Sequence, residues 1–138
     1  MNALETAKKM FDAWNSRDWD TIRSSLHVEC LYTGPDGQQA RGIEDCLKVG
    51  WISFAMGFPD GRVELKASYN GGDVIVTEFT FKATHTGIWE GIAPTGKKVE
   101  VDLCNVMVFR DGKVFRERDY LDTLGLFGQL GIVQMPKL

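Results

Sequence analysis

Histidine and cysteine are scarce in this sequence, and their scarcity excludes several classes of functional site. The two histidines, His27 and His85, lie far apart, and none of the three cysteines belongs to a CxxC pair. Because there is no HExxH motif and no Cys/His cluster, we expect no metal site. An odd, scattered set of cysteines is typical of reduced thiols in a cytoplasmic protein, so we expect a cytoplasmic location.

Basic clusters and long apolar runs are also missing. Sixteen Lys and Arg residues against 19 Asp and Glu residues give a net charge of −3 without a basic block. This balance argues against nucleic acid and against an anionic membrane surface as partners. No apolar run is long enough to span a bilayer, and the polar, amphipathic first nine residues do not resemble a signal peptide.

One glycine-rich segment approaches the phosphate-binding P-loop motif without completing it. In residues 91–98, Lys98 stands where the motif requires the Ser or Thr that binds Mg²⁺. The segment also leads into a predicted strand rather than into a helix whose N-terminus could hold phosphate. We therefore expect neither a nucleotide nor another cofactor.

The spacing of apolar residues changes along the chain from a helical period to an alternating one. Leu4, Phe11 and Trp14 share a helical face behind Asn2, which can cap that helix. From Arg62 onward, apolar and polar residues alternate, as in strands with one buried face. The predicted elements are this first helix, a helix capped by Ser16 or Asp18 that ends at Leu26, a strand at 28–33, a helix at 43–56, strands at 62–69, 73–85, 98–109 and 113–122, and a final short helix.

This element order predicts an α+β domain. Turn signals at Asn70-Gly71-Gly72 and Arg110-Asp111-Gly112 join consecutive strands into antiparallel hairpins. Helices followed by antiparallel strands indicate N-terminal helices packed on one face of a curved, mostly antiparallel sheet. A length of 138 residues suits one domain with a sizeable core, and we assign residues 1–138 to a single domain.

The register of the last hairpin decides which polar side chains face the core. A two-residue turn at Asp111-Gly112 places on the apolar side Asn105, Arg118, Tyr120 and Asp122. A three-residue turn with a bulge shifts the register by one residue and points Glu117 and Asp119 inward instead. The sequence leaves both registers open.

Asp122 stands where the last strand is expected to run into a short apolar helix. A carboxylate enclosed by apolar neighbours has a raised pKa and can transfer protons, so Asp122 is the predicted catalytic acid/base. The alternative catalytic residue is Asp119. A purely structural role for Asp122, as the N-cap of the last helix, remains open beside the catalytic one.

Other side chains are candidates for substrate binding, each with a structural interpretation beside it. His85, at a strand end, is more typical of a structural histidine bonded to a loop carbonyl than of a proton-transfer group. Asn105 is a lone polar residue on an apolar strand face and must be hydrogen-bonded, either within the sheet or to a ligand. Arg118 belongs to a charged run that is typical of an exposed ion-pair network. The aromatic residues that could form either core or a pocket wall are Trp14, Trp51, Phe54 and Trp89.

Eight short segments of the sequence together indicate a protein family. Each segment alone is a weak signal, but their order and spacing are specific. They are residues 11–19, 58–60, 72–74, 84–87, 91–97, 109–114, 122–126 and 129–131. Through them the chain resembles, over nearly its whole length, the SnoaL-like polyketide cyclases of the NTF2-like superfamily. The chain departs from the cyclase pattern at Thr33, where cyclases often carry a histidine.

This resemblance implies a cone-shaped α+β fold with a deep pocket between helices and sheet, and a homodimer. It implies cofactor-free ring closure of an aromatic polyketide by intramolecular aldol condensation, with the family's acid/base aspartate at Asp122. Tyr120 and Asn105 would take positions that bind substrate oxygens. The wider superfamily also includes hydroxylases, isomerases, epoxide hydrolases and non-catalytic binding proteins, and a shared fold does not choose among them.

The predicted mechanism is proton transfer next to a carbonyl group. Asp122 would take an α-proton from a bound ketoester, and the enolate would attack a second carbonyl of the same hydrophobic small molecule. Asn105 and Tyr120, with His85 or Arg118, would bind the developing oxyanion. The alternatives are another pocket enzyme that uses Asp119 or Asp122, and a binding or dimerisation module without chemistry.

Overall fold

The computed structural model describes residues 1–137, and in them helices cover one face of a six-stranded sheet. The helices are α1 (Ala3–Asn15), α2 (Trp19–Ser25), α3 (Ile43–Leu47), α4 (Ser53–Gly57) and α5 (Thr123–Leu130), with a π-helical turn (Lys48–Ile52) that joins α3 to α4. The strands are β1 (Leu26–Thr33), β2 (Gln39–Arg41), β3 (Arg62–Asn70), β4 (Val74–Thr84), β5 (Lys98–Arg110) and β6 (Lys113–Leu121). The predicted α+β class is confirmed.

The helix starts follow the capping signals in the sequence. The Asn2 side chain accepts a hydrogen bond from the Glu5 backbone N–H at 2.8 Å, as predicted for the first helix. At the second helix, Asp18 is the capping residue and accepts from the Thr21 N–H at 3.2 Å. The apolar face of α1 then packs against β3 and β4, which carries Phe11 and Trp14 onto the sheet.

A π-helical turn interrupts the helix predicted for residues 43–56. Lys48–Ile52 forms this wider turn, which brings Gly50 against the ring of Tyr32 on β1. A Cβ atom at Gly50 would lie 3.0 Å from Tyr32 Cδ2, so glycine permits the close approach. Wide turns of this kind are frequent at functional sites, and Trp51 lies within this one.

The sheet order is β2-β1-β6-β5-β4-β3, and β1 pairs with β6 in parallel while the other neighbours are antiparallel. The pairing of β1 with β6 joins the first strand of the chain to the last across more than 80 residues. Strand β2 has only three residues and was not predicted, because so short a strand leaves no periodic pattern.

The β5–β6 hairpin has the predicted two-residue turn. It also has a bulge, which the sequence analysis considered only together with a three-residue turn. Arg110 pairs with Lys113 and Phe109 with Val114, as expected for a turn at Asp111-Gly112. The register then shifts at Phe115, so that Val108 pairs with Arg116 and Asn105 with Asp119. One extra residue moves every later side chain to the opposite face. Glu117 and Asp119 therefore face the core.

Three side chains that the unshifted register would point inward do not face the core. Arg118 and Tyr120 lie on the outer face of the sheet, and 48 % of Tyr120 is exposed. Asp122 follows the end of β6, is exposed, and accepts a hydrogen bond from the Gly125 N–H at 2.8 Å. Its role as the N-cap of α5, one of the predicted alternatives, is confirmed.

The main core lies between α1, the α3–α4 segment and the inner face of the sheet. Aromatic rings dominate it, with Phe11 against Phe79 and Trp51, and Phe81 against Trp14 and Phe58. Within residues 1–137, no helix is long and apolar enough to cross a membrane.

Candidate active site

A narrow cavity of about 40 Å³ lies between the helices and the inner face of the sheet. Its walls are apolar and largely aromatic: Phe11, Trp14, Trp51, Phe54, Val63, Phe79, Phe81, Val101, Leu103, Leu121 and Leu126. The volume has room for about three water molecules. A ligand with fused rings therefore requires the lining side chains to move apart.

Two carboxyl groups line this apolar cavity. Glu117 and Asp119, which we call the carboxyl pair, lie two residues apart on β6 and are each only 5 % exposed. Among residues 1–137, the ion pairs formed by lysine and arginine side chains involve other acidic residues. The carboxyl pair is therefore buried without a compensating cation, which is a costly arrangement for two charges.

Hydrogen bonds hold both carboxyl groups in place. Asn105 Nδ2 donates to Glu117 Oε2 at 2.8 Å and to Asp119 Oδ1 at 2.9 Å. Trp51 Nε1 donates to Glu117 Oε1 at 2.9 Å, and the Tyr32 hydroxyl donates to Asp119 Oδ2 at 2.7 Å. These five residues form what we call the carboxyl cluster, in which each carboxyl oxygen accepts one hydrogen bond.

Burial makes the carboxyl pair retain a proton near neutral pH. Loss of water, followed by repulsion from Asp119, raises the pKa of Glu117 from 4.5 to about 8. Burial also raises the pKa of Asp119, against the opposing effect of the hydrogen bonds from Asn105 and Tyr32. Because two adjacent buried carboxylates repel each other, the pair titrates as a unit and favours the state with one proton.

The surroundings of Tyr32 keep it a hydrogen-bond donor. Burial and the neighbouring Asp119 carboxylate raise its pKa well above the usual value, so the phenol stays protonated. The Tyr32 hydroxyl therefore orients Asp119 and does not itself act as a base.

Three of the four aromatic residues predicted as core or pocket wall line the cavity: Trp14, Trp51 and Phe54. Trp14 Nε1 donates to the Trp51 backbone carbonyl at 2.9 Å, which ties α1 to the π-helical turn. Trp89 is buried elsewhere, against Phe54, Phe58 and Phe127.

Three predicted substrate-binding residues, His85, Arg118 and Tyr120, do not line the cavity. His85 is buried, and its Nδ1 lies 3.0 Å from Thr95 Oγ1 and accepts the Thr95 backbone N–H at 3.2 Å. Its side chain thus bonds to the loop before β5, as the structural interpretation predicted, but its partners there are a hydroxyl and a backbone N–H and not the expected carbonyl. Arg118 stacks over the Tyr120 ring on the outer face, at 4.8 Å from its centroid.

Sequence reasoning identified the cavity's polar residues only in part. Asn105 was singled out as a lone polar residue on an apolar strand, and the structure places it in the carboxyl cluster. Asp119 was the alternative catalytic residue, and Glu117 appeared only in the shifted register. Tyr32 was not predicted as a site residue, although its place two residues after buried Cys30 puts it on the inner face of β1.

Comparison with known proteins places this sequence in a family. The sequence model of the SnoaL-like polyketide cyclases matches residues 5–130. Two relatives are aklanonic acid methyl ester cyclases: AcmA of Streptomyces galilaeus and DnrD of Streptomyces peucetius. Each is 25 % identical to this chain, with the alignment covering 93 % of this chain and 90 % of the relative.

Solved structures show the same fold. A SnoaL-like protein from Jannaschia sp. CCS1 superposes with a TM-score of 0.86 at 24 % identity, covering 96 % of this chain and 92 % of its own. Since the family model spans nearly the whole chain, its match is decisive. The chain belongs to the SnoaL-like polyketide cyclase family.

Proposed function

We propose that this protein closes a ring of a polyketide-type ketoester by a cofactor-free intramolecular aldol reaction, with the carboxyl pair as acid and base. The observation that supports this most is the position of two cation-free, buried carboxyl groups in an aromatic-walled cavity. Such an environment retains a proton on one carboxyl group while the other can accept one. The named cyclase relatives support the reaction class.

In the proposed reaction, Asp119 takes a proton from the carbon between two carbonyl groups of the bound substrate. The resulting enolate carbon attacks a ketone carbon of the same molecule and forms the new carbon–carbon bond. The ketone oxygen becomes an alkoxide and takes the proton of Glu117. The cycle ends when the proton on Asp119 returns to Glu117, directly or through water, so that no atom is gained or lost.

Electrostatics and positioning both support these roles. The Tyr32 and Asn105 hydrogen bonds fix the Asp119 carboxylate, and a base held in place between apolar walls needs little reorganisation. General acid–base catalysis of this kind contributes about 10²–10⁴-fold. The apolar walls can fold one substrate so that its two reacting carbons meet, which adds to the rate through proximity.

This proposal changes the part expected of Asn105. Both of its amide hydrogens are directed at the carboxyl pair, so Asn105 is not a free donor for an oxyanion. The proton held by the carboxyl pair supplies that stabilisation instead.

The direct test is incubation of the purified protein with aklanonic acid methyl ester, the compound in the relatives' names, in buffer containing EDTA. We expect a product of unchanged mass and altered retention in liquid chromatography–mass spectrometry, because ring closure by aldol addition is an isomerisation. The matched control is the Glu117→Gln/Asp119→Asn double variant, which should leave the ester unchanged. Binding without conversion by the wild-type protein would favour the binding-module alternative.

We also propose a homodimer formed through the outer face of the sheet. Tyr69 pairs with Val76, and Val76 pairs with Val106, so these residues form an apolar row across β3, β4 and β5. Tyr69 is 54 % exposed, and the two valines are half-buried. We expect light scattering to give twice the chain mass of 15.5 kDa, and Val106→Lys to give the monomer. A wild-type monomer at micromolar concentration would contradict the proposal.

A further inference from the structure

The carboxyl cluster contains one polar atom without a hydrogen-bond partner. Asn105 is 1 % exposed, and among residues 1–137 its Oδ1 atom meets no donor. Buried carbonyl oxygens are nearly always hydrogen-bonded, and an unsatisfied one is costly. Asn105 also lines the cavity.

The neighbouring donors cannot supply the missing hydrogen bond, because each is already used. The Tyr32 hydroxyl and the Trp51 indole N–H point to the carboxyl pair, as do both hydrogens of Asn105 itself. The indole N–H of Trp14 points to the Trp51 carbonyl. The partner of Asn105 Oδ1 therefore lies outside these groups, and a water molecule or a ligand hydroxyl in the cavity can fill that place.

We infer that Asn105 is a specificity-determining residue whose Oδ1 selects substrates that present a hydroxyl group, enolic or phenolic, to the carboxyl cluster. The inference deepens the proposed function, on which it rests for taking this cavity as the substrate site. A neutral hydroxyl needs one acceptor, whereas a protonated amine carries three donors that seek acceptors. The surrounding aromatic walls suit the flat, apolar remainder of an aromatic hydroxyl compound.

The orientation of Asn105 has a physical cause. Because each carboxyl group of the pair offers an oxygen to the Asn105 amide, the nitrogen turns toward the pair and the oxygen turns away. The same arrangement that holds the catalytic groups thus creates an acceptor that discriminates between ligands. A site with a buried polar group rejects an analogue that cannot satisfy it.

The test compares 2-naphthol with 2-methylnaphthalene, in which a methyl group of similar size replaces the hydroxyl. Binding is followed at pH 6 by the NMR signal of the Trp51 indole N–H, which reports on the cavity without any turnover. We expect wild-type protein to bind 2-naphthol at least about tenfold more tightly. Equal affinity for the two compounds would overturn the inference.

Asn105→Leu is the matched variant, because leucine has a similar size and no polar atom. It should bind 2-methylnaphthalene at least as well as wild type does, and should prefer 2-naphthol by no more than about twofold. A preference of tenfold that persists in this variant would show that another group recognises the hydroxyl, and would also overturn the inference.

A measurement on the wild-type protein covers the case in which Asn105→Leu does not fold. In protein labelled with ¹³C at asparagine, the Asn105 Cγ signal should move downfield with 2-naphthol and stay in place with 2-methylnaphthalene. An unchanged signal with saturating 2-naphthol would contradict the inference. Since these readouts concern binding alone, they are independent of whether the protein converts a ketoester.

Discussion

Replacing Asp119 with asparagine is expected to lower kcat/KM for ring closure by roughly 10²–10⁴-fold, the contribution of a general base. Asparagine keeps the size of the side chain but has one carbonyl oxygen for the two donors Tyr32 and Asn105, so we expect the variant to fold with a free energy of unfolding lower by about 1–3 kcal/mol. It loses the ability to accept a proton. Circular dichroism and the thermal unfolding midpoint would check the fold, and product formation from the ketoester would check the rate.

Asp122→Asn is the matched control for this prediction. Asp122 is exposed and caps α5, and asparagine is an equally good N-cap residue. We therefore expect this variant to keep both wild-type stability and wild-type turnover. The proposed assignment would be wrong if Asp122→Asn lost activity while Asp119→Asn retained it.

Local signals in the sequence were sufficient for most of the fold. The Asn2 and Asp18 caps, the alternation from Arg62 onward and the Asp111-Gly112 turn each act within a few residues, and the structure confirms them. Capping and turn preferences depend on backbone groups within the same segment, so they can be inferred without knowing the tertiary contacts.

The candidate site could not be predicted to the same extent, because it depends on one bulged residue. Phe115 carries the extra step in β6, and it packs on the outside under Arg110 and beside His27. No turn signal marks that position. Because a shift of one residue reverses the two faces of a strand, Asp119 faces the core and Asp122 does not.

Long-range contacts account for what the sequence pattern could not show. The Tyr32 hydroxyl reaches Asp119 across 87 positions of sequence, and Trp51 reaches Glu117 across 66. The contact of Tyr32 depends on the parallel pairing of β1 with β6, and the contact of Trp51 depends on the π-helical turn at residues 48–52. A charged run on a strand normally indicates an exposed face. The contacts with Tyr32 and Trp51 show that two residues of this run, Glu117 and Asp119, are buried.

The second large effect expected is on stability as a function of pH. Burial and Asp119 raise the pKa of Glu117 to about 8 in the folded protein, against 4.5 for an unperturbed glutamate. Between these pH values the folded state binds more protons than the unfolded chain, so the free energy of unfolding falls as pH rises. With 1.36 kcal/mol for each pKa unit, the decrease from pH 4.5 to pH 8 is on the order of 4 kcal/mol.

Glu117→Gln should remove most of this pH dependence. Glutamine has one carbonyl oxygen for the two donors Trp51 and Asn105, so at pH 5 the variant should be less stable than wild type by about 1–3 kcal/mol. At pH 8, close to the raised pKa of Glu117, about half of the wild-type molecules carry this charge in an apolar cavity, and the order should reverse or the two proteins should become equal.

Urea unfolding at constant ionic strength between pH 5 and pH 8 would measure the free energy of unfolding of the wild-type protein and of Glu117→Gln. Glu29→Gln, which replaces an exposed glutamate on β1, is the control and should keep the wild-type slope. Carboxyl groups with lowered pKa values, such as those of Asp60 and Glu64, stabilise the folded state less only when the pH falls below this range. They therefore do not change the free energy of unfolding between pH 5 and pH 8. A wild-type free energy of unfolding that stays constant over the range would mean that the carboxyl pair does not hold a proton, and would remove the basis for its acid–base role.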